Sequence, residues 1–272
     1  MLINNQNQSR LGGIFLFLLY IRLLKMEIKQ YLDSTYLKTA AQANVSESEN
    51  ENIVRKMVTE AIEEGFKLIM IRPEYVSAAK QMIKNADSNV TVGTVIDFPE
   101  GSASIDEKLK EAAKAIADGA DELDFVCNYQ AFLKGDTDIV REEVSKCTKF
   151  CLEHLKVAKW IIEVAALNNM EIAQLSSLIK NVVLSEFCDA DLASVYVKSS
   201  TGFYPTQNGQ PNGATIPAII IMLENASPLP VKAAGGVRTY DEAIEMINLG
   251  VKRIGTSAAK TIADKQAASG SY

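Results

Sequence analysis

Short apolar runs of strand length alternate with longer amphipathic stretches of helical period from residue 26 onward, and this alternation limits the folds open to the chain. The runs are 28–32, 66–71, 90–96, 122–127, 158–164, 192–197, 229–234 and 251–255. Helical patterns between them include 105–116, 137–155, 172–183, 215–223 and 240–249. Gly65, Gly119 and Gly250 each stand just before the next run, where a helix C-cap glycine belongs. Eight strand-then-helix units match the (β/α)8 TIM barrel in count and length. The runs are apolar throughout, as in a parallel sheet covered on both faces. The rival is an open doubly wound sheet, which normally shows G-x-G-x-x-G after its first strand. Here that position reads D-S-T-Y-L-K. The expectation is an α/β chain with a single-domain (β/α)8 barrel over 26–272.

Composition removes several functions. Hydrophobic residues make up 47 % of the 272, enough apolar side chain to offset chain entropy. A net charge of −6 argues against a nucleic-acid partner, which needs a basic footprint. His154 is the single histidine, so histidine-rich metal sites and Ser-His or Cys-His nucleophiles are disfavoured. Cys127, Cys147, Cys151 and Cys188 form no C-x-x-C pair and read as buried, reduced thiols. Residues 11–24, L-G-G-I-F-L-F-L-L-Y-I-R-L-L, are too short to span a bilayer. Their flanks make a poor signal peptide. Residues 1–25 read as a dispensable extension, with a membrane or targeting role and a packed N-terminal helix as the alternatives.

In a barrel, chemistry sits at the carboxyl ends of the strands. Charged residues near those ends are Asp33, Asp124, Glu163, Lys198 and Lys232. Each has a plain structural reading: a solvated cap for Lys198, a strand bridge for Asp124, a helix N-cap for Asp33 beside Ser34 and Thr35. Together they would aim both lysines and Asp124 into one cavity, an expensive arrangement for structure alone. A lysine nucleophile must be neutral to attack a carbonyl, yet free lysine titrates near 10.4. Burial and a neighbouring cation both lower that value. If Lys232 stands about 5 Å from Lys198, repulsion at an effective dielectric near 20 is about 3 kcal/mol, roughly two pKa units. Asp124 could then relay protons through a water. The reaction class is Schiff-base carbonyl chemistry, with no metal or cofactor.

Phosphate is the second theme. Gly202 follows the sixth run, Gly235 and Gly236 the seventh, and Gly255, Thr256 and Ser257 the eighth. Loops after strands seven and eight are the usual phosphate position in such barrels. Arg238, just beyond, could assist or sit in a salt bridge.

These residues carry a resemblance. V-K-S-S-T-G-F at 197–203 and K-A-A-G-G-V-R-T at 232–239 resemble the two lysine motifs of the deoxyribose-phosphate aldolases. Supporting matches are Y-L-D-S-T-Y-L at 31–37, V-G-T-V-I-D-F-P at 92–99, A-D-E-L-D-F-V at 120–126 and R-I-G-T-S at 253–257. They follow the family's order across nearly all of 26–272. The resemblance implies a class I aldolase on a TIM barrel, cleaving 2-deoxyribose 5-phosphate to acetaldehyde and glyceraldehyde 3-phosphate. It implies that Lys198 forms the Schiff base, Lys232 tunes it and Asp124 relays protons. Thr201, Gly202, Gly235, Gly236 and Ser257 would hold the phosphorylated substrate, with Asp33 and Thr35 nearby. It further implies a cytoplasmic homodimer or homotetramer acting in deoxynucleoside catabolism, with a small sugar phosphate as partner and neither nucleic acid nor membrane.

Departures from the family pattern are local. Met70-Ile71-Arg72-Pro73 replaces the C-x-x-P of many members. The loop 204–212 is longer than the usual glycine-rich link. Residues 1–25 have no counterpart. The S-G-S-Y terminus resembles members with a terminal tyrosine, so Tyr272 either visits the site and assists proton transfer or is a frayed end.

Overall fold

The computed structural model describes residues 27–265 except 208. Residues 1–25 and Tyr272 therefore lie outside the described residues. Eight parallel strands close on themselves in sequence order. They are β1 (Leu32–Tyr36), β2 (Leu68–Ile71), β3 (Thr91–Ile96), β4 (Glu122–Val126), β5 (Val157–Ile161), β6 (Val195–Lys198), β7 (Val231–Ala234) and β8 (Arg253–Thr256). Closure comes from β1 pairing with β8, where Asp33 stands opposite Gly255. The (β/α)8 barrel read from the sequence is the fold observed.

Local signals start and stop the helices between strands. Ser46, Ser104, Asn168 and Thr239 each open a helix with a capping box, their partners being Glu49, Glu107, Glu171 and Glu242. Gly65 and Gly250 end helices Glu47–Glu64 and Tyr240–Leu249 at φ 66° and 117°, conformations that suit glycine. No helix among the described residues is long and apolar enough to cross a membrane.

Side chains alternate across each strand. One set packs outward under the helices, in a large core where Phe125 stacks on Trp160 at 5.1 Å between ring centres. A separate small cluster, Leu37, Leu68, Met70 and Val95, gathers against Phe98 and Phe203. Met70 thus occupies the family's cysteine position as a packing residue. The remaining strands contribute charged residues to the barrel interior instead.

Three expectations need correction. The first run is not a strand: Ile28–Tyr31 is a 3-10 turn, and the strand is the polar L-D-S-T-Y that follows. That sequence can be buried because Lys232 and Arg253 pair with Asp33. Asp33 is therefore an interior strand residue and not a helix N-cap. The sixth strand starts three residues late, since Asp189–Ser194 forms another 3-10 turn. Finally, Cys127, Cys147 and Cys151 are buried, but Cys188 is exposed, its thiol donating to Asp191 at 3.0 Å.

Candidate active site

A cavity of about 140 Å³ opens where the strands end. Thr35, Lys198, Thr201, Gly202, Gly235, Gly236 and Ser257 all line it, together with Phe203, Asn212 and Arg238. The ends of β1, β6, β7 and β8 thus bring these sequence-predicted residues to one place. Asp33, Asp124 and Lys232 lie beneath them, each 0 % exposed. Tyr272 lies outside the described residues.

Lys198 is the last residue of β6 and pairs in register with Lys232 on β7. Its ammonium donates to Asp124 Oδ2 at 2.9 Å. Lys232 donates to the same oxygen at 2.8 Å. The two nitrogens can therefore be no farther apart than those two bonds laid end to end. Lys232 is also ion-paired with Asp33 at 2.6 Å.

This setting moves protons. Burial pushes the Lys198 amine down to about 8; Lys232 and Lys159 add repulsion, while Asp124 pulls the other way. Burial thus outranks the Lys232 repulsion on which the sequence argument leaned. Desolvation opposes ionisation of Asp124, but Lys159, Lys198 and Lys232 outweigh it and hold the carboxyl well below its usual range. Asp124 is a permanent anion at neutral pH.

The loop after β6 is held from β5. Glu163, just beyond β5 with φ 56°, is buried and accepts from the Thr201 backbone N–H at 3.1 Å and from its hydroxyl. The Thr201 hydroxyl in turn accepts from Phe203 N–H at 3.0 Å. Asn212 donates to the Gly202 carbonyl at 2.9 Å, tying the far end of the long loop back. Burial raises the Glu163 carboxyl, while its Thr201 bonds and Lys198 work against that rise.

The glycine loops fit a close-packed anion site. Gly235 and Gly236 have φ of 81° and 89°. A Cβ on Gly235 would fall 2.8 Å from the Gly213 backbone, so this turn tolerates glycine alone. Arg238 is exposed at the rim, and its backbone N–H donates to Glu242 at 2.8 Å. Among the described residues, the segment after Ser257 forms one short helix, Ala259–Ala263. Among the described residues, no group of three His, Cys, Asp or Glu side chains is placed to hold a metal ion.

Sequence reasoning missed three members of the buried layer. Lys159 on β5 donates to Asp124 Oδ1 at 2.8 Å and pairs with Glu122 at 2.6 Å. Arg253 on β8 pairs with Asp33 at 2.5 Å and with Glu122 at 3.2 Å. The signal was present for Lys159, which interrupts the apolar V-A-K-W-I, and for Glu122, which lies two residues from Asp124 and so on the same face.

The chain is similar to known proteins. A family model described as DeoC/LacD family aldolase matches residues 37–259. Deoxyribose-phosphate aldolase of Thermococcus kodakarensis is 36 % identical over 88 % of this chain and 97 % of its own length. The Clostridium kluyveri protein of the same name is 37 % identical over 89 % and 99 %. The tetrameric deoxyribose phosphate aldolase structure from Aeropyrum pernix superposes with a TM-score of 0.70 at 28 % identity, covering 87 % of this chain and 89 % of that one. A barrel with this order of motifs, matched along most of its length, belongs to the DeoC/LacD family of aldolases.

Proposed function

We propose that the chain is a class I aldolase that reversibly cleaves 2-deoxyribose 5-phosphate to acetaldehyde and glyceraldehyde 3-phosphate, in the cytoplasm and in deoxynucleoside catabolism. The observation that carries this reading is the buried Lys198 amine at the cavity wall, sharing Asp124 Oδ2 with Lys232. The glycine loops and the Thr35 and Thr201 hydroxyls around the cavity suit a small open-chain sugar phosphate. The names of the relatives supply the substrate class.

The steps follow from the chain's own groups. Neutral Lys198 attacks the C1 aldehyde carbon, and loss of water leaves an iminium ion. The iminium draws the C2–C3 electron pair, so that bond breaks as the C3 hydroxyl gives up its proton. Glyceraldehyde 3-phosphate leaves, and an enamine stays on Lys198. Protonation at C2 and addition of water then release acetaldehyde and restore the amine. Lys232 and Asp124 form the proton relay beside the reacting carbons. Asp124, held as an anion, serves as the bridge between the two amines and not as a store for the proton. The iminium places a positive charge where the neutral amine stood, and anionic Asp124 beside it stabilises that charge as it forms.

The substrate phosphate would sit on the backbone N–H groups of the loops at Gly202, Gly235, Gly236 and Ser257. Thr35 and Thr201 would meet the sugar. Arg238, at the rim, adds positive charge at the phosphate end. The tetrameric relative supports a homo-oligomer here.

The test is a borohydride trap. Full-length protein is incubated with 2-deoxyribose 5-phosphate, reduced, digested and mapped. A covalent adduct on Lys198 supports the reading; a clean Lys198 peptide, with the mass elsewhere or absent, removes it. Product analysis with acetaldehyde against dihydroxyacetone as donors separates this reaction from other Schiff-base aldol reactions.

A further inference from the structure

The charged side chains under the cavity form a closed circuit. Starting from Lys232, contacts run to Asp33 at 2.6 Å, Arg253 at 2.5 Å, Glu122 at 3.2 Å, Lys159 at 2.6 Å, Asp124 at 2.8 Å, and back to Lys232 at 2.8 Å. Cations and anions alternate, three of each. No side chain in the circuit is more than 5 % exposed. Lys198 joins from outside the ring, through Asp124 alone, at 2.9 Å.

We propose that charge balance in this ring selects Lys198 as the lysine that surrenders its proton, and that Arg253 and Glu122 are therefore positioning residues for the reaction although neither lines the cavity. The inference rests on the aldolase reading above. With Lys198 protonated, the buried cluster holds four cations against three anions. With Lys198 neutral, the charges cancel. An unbalanced charge in a water-poor interior is the costly state. Each ring cation is braced by two carboxylates, whereas Lys198 has one. Arginine cannot yield its proton in a protein. The weakest-held proton is thus the one on Lys198.

Two other ionisable groups face the cluster from outside the ring. Glu163, from the segment after β5, acts on Lys198 through space, and its hydrogen bonds go to Thr201, so it is no part of the ion-paired circuit. The phenol of Tyr196 on β6 faces Arg253, Glu122, Lys159 and Asp33, and its ionisation is pushed up by burial, so it stays neutral. The directions agree with that balance: the ring cations Lys159 and Arg253 are raised, while Lys198, outside the ring, is lowered. Glu122 and Arg253 open β4 and β8, at the strand ends away from the cavity. Arg253 borders a separate groove at that end with Tyr31 and Tyr196.

The test is the pH profile of kcat/KM for 2-deoxyribose 5-phosphate cleavage by the full chain. Arg253→Met leaves the ring one cation short, so Lys198 keeps its proton and the acid limb moves up by about one pH unit. Glu122→Gln leaves one cation too many, and the limb moves down by about as much. Arg253→Lys keeps the count and the wild-type limb. The double variant Arg253→Met/Glu122→Gln restores neutrality and brings the limb back, which a purely structural defect could not do. Should a single variant fail to fold, the remaining one and Arg253→Lys decide. Shifts of the same sign in both singles, or no shift in a folded variant, overturn the proposal. The borohydride trap on wild-type protein keeps the two readings apart. A Lys198 adduct with shifts of the wrong sign sinks only the ring argument, whereas no Lys198 adduct sinks the aldolase mechanism itself.

Discussion

Lys198 and Lys232 donate to one and the same oxygen, Asp124 Oδ2. Removing Lys232 therefore does two things at once. It takes away a cation that disfavours a second charge, and it frees Asp124 to hold the Lys198 proton more tightly. Both raise the Lys198 amine from about 8. Lys232→Leu should shift the acid limb of kcat/KM upward by about one to two pH units and cut the rate at pH 7 at least ~10-fold. Circular dichroism should show an intact fold. A variant with the wild-type profile at neutral pH would show that Lys232 does not tune Lys198.

In the wild-type protein the sign is also fixed. The attacking amine must be neutral, so kcat/KM should rise with pH and level off above about 8. The rate of borohydride trapping across the same range checks that the limb belongs to imine formation. A flat trapping rate between pH 6 and 9, values chosen to bracket about 8, would assign the limb elsewhere.

Some of this site was legible in the chain and some was not, for a physical reason. Lys198 and Lys232 stand out because each interrupts an apolar run that ends at a glycine loop. Lys159 interrupts a run in the same way, yet nothing local shows whether it points into the barrel or under a helix, since both sides of a parallel strand are buried. Register decides that: Lys159 lies opposite Asp124. Asp33 was harder. Its strand, L-D-S-T-Y, carries no apolar signature, and its partner Arg253 is 220 residues away. A charge balanced by so distant a partner cannot be read from its neighbours. The glycine loops were legible because they depend on backbone shape, which glycine signals directly.

The phosphate assignment makes its own prediction. A Cβ on Gly235 would meet the Gly213 Cα at 2.8 Å, in a backbone conformation that side chains rarely adopt. Gly235→Ala should displace the loop and raise KM for 2-deoxyribose 5-phosphate by ~10-fold or more, about 1.4 kcal/mol. Cleavage of unphosphorylated 2-deoxyribose should change little, because the Lys198 pocket stays intact. Equal losses on both substrates would place Gly235 outside the phosphate site.

The Glu163–Thr201 contact carries a separate expectation. Glu163→Gln retains an acceptor for both Thr201 donors and should keep KM within about threefold, under 1 kcal/mol. Glu163→Leu removes the acceptor, leaves a buried N–H and hydroxyl unpaired, and should cost about 1–3 kcal/mol of stability. Its KM for the phosphorylated substrate should rise as the loop bearing Gly202 loosens. Thermal melting and steady-state kinetics on the pair of variants would separate the two effects, and a Leu variant indistinguishable from wild type would dismiss Glu163 as an anchor.

Lys159 is the most demanding case, because it touches no part of the cavity yet braces both carboxylates of β4. Lys159→Met preserves approximate volume but leaves Glu122 with Arg253 alone and Asp124 with the two remaining lysines. Breaking one partner out of a buried ion network costs about 3–5 kcal/mol, because the charges left behind cannot reach water. For a chain of this size that lowers Tm by about 10 °C. The loss also frees Asp124 to grip Lys198, so the acid limb should move up, in the same direction as for Lys232→Leu. Lys159→Arg keeps the charge and should recover the limb more fully than the melting temperature, since the guanidinium is bulkier than the space the amine fills. A Met variant that melts with the wild type would mean that water or a shifted side chain pairs Asp124 and Glu122, and that the strand-to-strand contacts in the β4–β5 half of the network contribute little to holding the barrel closed.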